Sequence, residues 1–211
     1  PGNSLPDLKQ ALNTLHHPNE DENIEQITNF KHPCQQRLII EELCAQKLSL
    51  LILKKQRKNI KSNTFEIKKS LSSSLINSLD FNLTIAQERC LNEINTDISS
   101  PQPMLRLLQG DVGSGKTIVA VIACLQAIEN GFQSAIMAPT EILASQHLDS
   151  FSNYLKPLGI NIAFLIGSQS HKEKEEEQQK IEQGLAQIVI GTHALFQEGV
   201  NFDKLGLVVI D

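Results

Sequence analysis

The chain has 211 residues, enough for one or two domains with a sizeable core. Its 40% hydrophobic and 20% charged residues are ordinary globular composition, and no apolar run approaches the roughly 18 residues that a membrane-spanning helix needs. A net charge of −5 argues against a generic nucleic-acid binder, and a chain with no Trp and one Tyr has little material for stacking on bases.

The charge is uneven. Residues 1–80 hold 11 Lys/Arg against 9 Asp/Glu, and residues 81–211 hold 8 against 15. The four cysteines, Cys34, Cys44, Cys90 and Cys124, form no C-x-x-C pair and no zinc-spaced cluster with histidine. They read as reduced thiols of a cytosolic protein, mostly buried. The chain begins at Pro1 with no positively charged, apolar leader, and reads as an internal piece of a longer protein.

The first third is helical in pattern. Pro6 to Leu15 and Asp21 to Phe30 form two short segments. A long one runs from Pro33 to about Lys58, with Ile40, Leu43, Cys44, Leu48, Leu51 and Ile52 on one face. Lys54, Lys55, Arg57, Lys58 and Lys61 cluster at its end. There they suit the helix dipole as a solvated terminus, or they meet a phosphate backbone. Ser62 to Asn82 is a serine-rich linker carrying a short amphipathic helix at Leu71, Leu75 and Leu79. Thr84 caps a helix from Ile85 to Ile98, which Ser99 to Pro103 ends.

From Leu105 onward strands alternate with helices, the pattern of a parallel α/β sheet. Strands are expected at Leu105–Gln109, Ser134–Ala138, Ile160–Ile166, Gln187–Ile190 and Leu207–Asp211. Each is followed by a motif at its C-terminal end, the rim along which open α/β sheets bind ligands. The first motif is the most informative. Residues 110–117 read GDVGSGKT, the phosphate-binding loop pattern, set between an apolar run and the helical stretch Thr117 to Ile128. Gly110, Asp111, Val112, Gly113, Ser114 and Gly115 supply a turn whose N–H groups point at an anion. Lys116 reaches the β- and γ-phosphates, and the Thr117 hydroxyl helps hold Mg²⁺. LVVID, ending at Asp211, is an apolar strand with a terminal acid, suited to the same Mg²⁺.

The wording around the loop is more specific than the loop. LRLLQGDVGSGKT, APTEILASQH, IVIGTHAL and LGLVVID, in that order and spacing, resemble the RecG family of superfamily 2 DNA helicases. The resemblance runs back through FNLTIAQERC to about Pro33, and its nearest competitor is the transcription-repair coupling translocase family. It implies an ATP-dependent translocase on double-stranded and branched DNA, acting at stalled forks and Holliday junctions. It also implies an α-helical connector over residues 1–80 and, over 81–211, a first RecA-like domain with a parallel sheet that stops after the strand ending at Asp211. A second RecA-like domain and a wedge domain would lie in cis outside this chain.

The same resemblance assigns residues. Gln87 becomes the glutamine that reads adenine, supported by Thr84 and Phe81; from the sequence alone it is a surface residue of an amphipathic helix. Pro139, Thr140, Glu141 and Gln146, then Gly167 and Ser168, then Gly191, Thr192 and His193 become DNA-backbone contacts. Thr140 reads equally as a helix cap and His193 as a loop hydrogen-bonder. The family's glutamate after the strand aspartate falls beyond Asp211, so the chain alone is expected to bind nucleotide weakly without turnover. A truncated, inert product is the non-enzyme alternative. Two departures stand out. Ile166 replaces the family's threonine before Gly167-Ser168, and the following helix carries five Glu against three Lys, which reads as a solvated acidic face.

Overall fold

The computed structural model describes residues 5–19, 21–57, 60–197 and 199–211. These fall into two compact units, divided between Ile60 and Lys61.

In the first unit, α1 (Leu8–His16) is capped by the Asp7 carboxylate, which accepts from the Gln10 amide at 2.9 Å. The short α2 (Ile24–Thr28) is capped in the same way by Asn23. The chain then reverses through Phe30, held at φ +56°, where Gln36 Nε2 donates to its carbonyl. α3 (Pro33–Arg57) follows the expected span, and α1 packs against it over the buried Ala11. The apolar stripe of this helix is exposed. Leu43, Leu48, Leu51 and Ile52 all stand open. Lys58 and the side chains of Lys54 and Arg57, three members of the basic cluster, lie outside the described residues.

The second unit is a parallel sheet of β1 (Gln133–Met137), β2 (Ile162–Leu165), β3 (Ile188–Gly191) and β4 (Leu205–Ile210) in the order β2-β3-β1-β4. Strand alternation divides two cores. Ile188, Ile190 and Ile136 face α6 (Lys116–Glu129), α7 (Glu141–Leu155), α5 (Ile85–Ile98) and α4 (Ser70–Asn77). Val189, Leu165 and Ala163 face α8 (His171–Glu182) through Ile181.

Two expectations differ from the structure. Leu105–Gln109 is not a strand. It has no ladder partner among the described residues, and Leu105 and Leu107 are exposed. An apolar run becomes a strand only with a neighbour to satisfy its backbone groups. Here the side of the segment facing β4 opens on a cavity of about 400 Å³, lined by Pro103–Arg106 on one side and Gly206–Val208 with Ile210 on the other. The segment is held by Arg106, which binds Asp97 at 2.8 Å and also Glu93, both on α5. The two carboxylates raise the guanidinium pKa above its ordinary value, the Asp97 hydrogen bond being the largest cause.

The second difference is residues 61–80, expected with the connector. They pack with the sheet unit. Phe65 is buried and stacks on Phe132 at 5.2 Å. The backbone that follows is laced to α6 and the residue after it. Glu66 exchanges two bonds of 2.9 Å with the Asn130 amide, Lys68 exchanges two with Gln126, and the Leu71 amide donates to Glu129 at 2.8 Å.

Candidate nucleotide-binding site

The phosphate loop sits where α6 begins. Gly115 is the residue before the helix, in the left-handed conformation at φ +79°, and no side chain caps the helix. Its first-turn N–H groups therefore remain free for an anion. A side chain at 115 would also run into the Gln87 amide. Gly113 is at φ +79° as well, beside the fully exposed Val112. Lys116 Nζ donates to the Gly110 and Asp111 carbonyls, both at 2.8 Å, and so lies back along the loop.

α5 brings the second part. Thr84 and Gln87 form a reciprocal cap. Thr84 Oγ1 accepts from the Gln87 amide at 3.2 Å, and Gln87 Oε1 accepts from the Thr84 amide at 2.9 Å. The other end of the Gln87 side chain donates to the Ser114 and Gly115 carbonyls, at 3.2 and 3.4 Å. One side chain thus ties a helix N-terminus to the phosphate loop.

A cavity of about 270 Å³ joins these parts, lined by Phe81 and Gln87 on one side and by Gly113, Gly115, Lys116 and Thr117 on the other. Ser150 and Tyr154 of α7 complete the lining. Sequence reasoning missed both. The available signal was that the chain's sole tyrosine lies four residues after Ser150, on one helical face.

Asp211 follows β4 at the rim. Its amide donates to the Met137 carbonyl at 2.9 Å, and its Oδ2 lies 2.9 Å from His147 Nε2. His147 in turn meets Phe151 edge-on. Among the described residues no hydrogen bond or ion pair joins Asp211 to Thr117. Nor, among the described residues, does any group of three or more His, Cys, Asp or Glu gather to cage a metal.

The other site residues divide in two. Thr140 caps α7, accepting from the Leu143 amide at 3.3 Å. Glu141 reaches across to Ser168, accepting from its amide at 2.8 Å and its hydroxyl at 2.7 Å, while Lys174 Nζ donates to the Gly167 carbonyl. These bonds, the Ser168 hydroxyl first, hold the Glu141 carboxyl below its usual range. Pro139, Thr140, Glu141, Gly167 and Ser168 therefore form one cluster on the rim. Gly191 and Thr192 lie apart and buried. Gly191 is the last residue of β3, where a side chain would collide with the Leu165 carbonyl, and Thr192 donates its amide to that carbonyl at 3.3 Å. His193 is exposed, and so is Gln146, whose carbonyl accepts from Ser150. On the acidic α8, Glu173 completes a capping box with Ser170 and Glu177 accepts from the Phe164 amide at 2.9 Å.

A glycine-rich loop at a helix N-terminus beside a parallel sheet defines a nucleotide-binding domain of the P-loop class. The DEAD/DEAH box helicase family matches residues 84–211, and the chain belongs to that family. It is 46% identical over 204 residues to the ATP-dependent DNA helicase RecG of Haemophilus influenzae and 45% identical over the same length to that of Escherichia coli K12, in each case over 97% of this chain. It is 42% identical over 208 residues to the RecG of Thermotoga maritima. A solved structure of RecG bound to a three-way DNA junction matches with a TM-score of 0.78 at 44% identity, over 83% of this chain and 24% of that one. The chain spans about 29% of the length of the first two relatives.

Proposed function

We propose that this chain is the nucleotide-binding part of a RecG-type motor. In the longer protein ATP hydrolysis would drive translocation on double-stranded DNA and the remodelling of forks and Holliday junctions. The observation that carries this reading is one cavity bounded by the phosphate loop, Lys116 and Thr117 together with Phe81 and Gln87.

The roles follow from the geometry. Phosphate in the loop would meet the free N–H groups at the start of α6, and Lys116 Nζ would exchange two carbonyls for anionic oxygens. Thr117 and Asp211 would hold Mg²⁺, which when bound neutralises charge on the phosphate oxygens. His147 already fixes the Asp211 carboxylate. Phe81, Thr84 and Gln87 would receive the base. Gln87, bonded to the loop, gives base and phosphate recognition a shared part.

On the rim, Pro139, Thr140, Gly167 and Ser168 would line the path of the DNA backbone, with the Thr140 hydroxyl, whose oxygen accepts from Leu143, placed to donate to a phosphate. Glu141 shapes that surface through its bonds to Ser168 rather than by meeting phosphate itself. Gly191 and Thr192, buried, would not meet the DNA directly. Hydrolysis also needs a cation opposite the transferred phosphoryl group. A second RecA-like domain in cis would supply it, with a wedge domain directing the motor to branched DNA in the cytoplasm.

The test is equilibrium binding of Mg²⁺ with ADP or ATP to the 211-residue chain. Binding is expected, with adenine preferred over guanine nucleotides. Lys116→Ala should abolish it and Gln87→Ala should narrow the base preference. Equal affinity for ATP and GTP would remove the adenine role of Gln87. Undiminished binding by Lys116→Ala would remove the site.

A further inference from the structure

We propose that Tyr154 and Ser150, on α7, complete the base subsite, Tyr154 as a flat wall and Ser150 as an acceptor for an exocyclic amine. The inference rests on the nucleotide reading and deepens it. α7 begins at the rim with Thr140, and its fourth turn carries Tyr154 back to the cavity that holds Phe81 and Gln87. Tyr154 is half-buried, so its ring packs on the core and still presents a surface to the cavity. Among the described residues its hydroxyl has no hydrogen-bond partner.

The hydrogen bonds around the cavity set the chemistry it accepts. Ser150 Oγ donates to the Gln146 carbonyl at 2.8 Å, which uses its only proton. Toward the cavity it can only accept. The Gln87 amide nitrogen is turned to two loop carbonyls, and its Oε1, an acceptor only, keeps a lone pair beyond the bond from Thr84. Two side chains that can only accept suit the amino group of adenine. They disfavour the carbonyl oxygen that guanine carries in its place. Phe81 and Tyr154 add two aromatic surfaces, and stacking a base on one such ring is commonly worth a tenfold or greater change in affinity.

The experiment compares a ligand with a base and one without. Mg²⁺ with ADP and Mg²⁺ with tripolyphosphate are titrated calorimetrically into the unmodified chain, Tyr154→Leu and Ser150→Ala. Because the chain has one Tyr and no Trp, tyrosine emission of the unmodified chain reports directly on this wall. ADP, but not tripolyphosphate, should change that emission. Tyr154→Leu should weaken ADP by about tenfold and leave tripolyphosphate unchanged, which also shows that the variant is folded. Ser150→Ala should reduce the preference for ADP over GDP. The inference fails if Tyr154→Leu leaves ADP unchanged or weakens both ligands equally, or if ADP binds no better than tripolyphosphate. If neither ligand binds the unmodified chain, the nucleotide reading fails and takes the inference with it.

Discussion

Gln87 does more than a base-reading residue requires. Its carbonyl closes the cap of α5 while its amide grips the phosphate loop. The sequence could place it on the right helix, but only the fold shows that it touches Ser114 and Gly115, 27 and 28 residues away. Glu141 shows the same limit. Its segment suggests a DNA contact, yet both carboxylate oxygens are taken by Ser168. Because those bonds depress its folded pKa, the contribution of this clasp to stability is present above the ordinary 4.5 and is lost as pH falls through the lower folded value. The Ser168 amide resonance should therefore titrate with a midpoint below 4.5. A midpoint at or above it would mean the clasp does not form in solution. Cys124 offers a separate check. Burial pushes its thiol up to about 12, so it is protonated and shielded at neutral pH, while Cys44 is exposed. Iodoacetamide should modify Cys44 in the native chain and Cys124 only after denaturation. Native labelling of Cys124 would contradict the packing of α6.

At the scale of elements, the helices were legible and the sheet edge was not. Thr84 predicts the start of α5 because a cap is a local device, and α5 ends at Ile98 as its pattern says. Leu105–Gln109 has the composition of a strand but forms none, because a strand depends on a neighbour that local sequence does not contain. Residues 61–80 read as linker since their attachment runs through the side chains of Gln126, Glu129 and Asn130, which no periodicity reveals. Gly206 belongs to that attachment. A Cβ there would stand 2.6 Å from Phe132 Cβ and 3.0 Å from Phe65 Cζ, between β4 and the stacked pair. Phe132 cannot yield by rotating, since the close atom is its own Cβ. Gly206→Ala should destabilise the chain by about 1–3 kcal/mol in urea unfolding. An unchanged midpoint would mean that the Phe65–Phe132 stack is not seated on β4.

For the whole molecule, charge and architecture point in different directions. Residues 81–211 carry a net −7, and α8 is acidic, yet the relatives it resembles act on DNA. Part of that acidity has internal work: Glu141, Glu173 and Glu177 hold loops, a cap and a strand end. A DNA contact would then be confined to the rim cluster around Thr140 and Ser168, where Glu141 already takes the Ser168 donors. The cavity beside β4 and the exposed stripe of α3 are further surfaces in a chain that spans 29% of its relatives' length.

Phosphate and base held in one cavity joining α5 to the loop before α6 would shield both segments at once. Amide hydrogen exchange of the 211-residue chain is measured with and without Mg²⁺ and ADP. Slower exchange is predicted in the two segments 81–90 and 110–118 together, with residues 167–170 unchanged. Exchange in 110–118 that saturating ADP leaves unaltered would contradict the account.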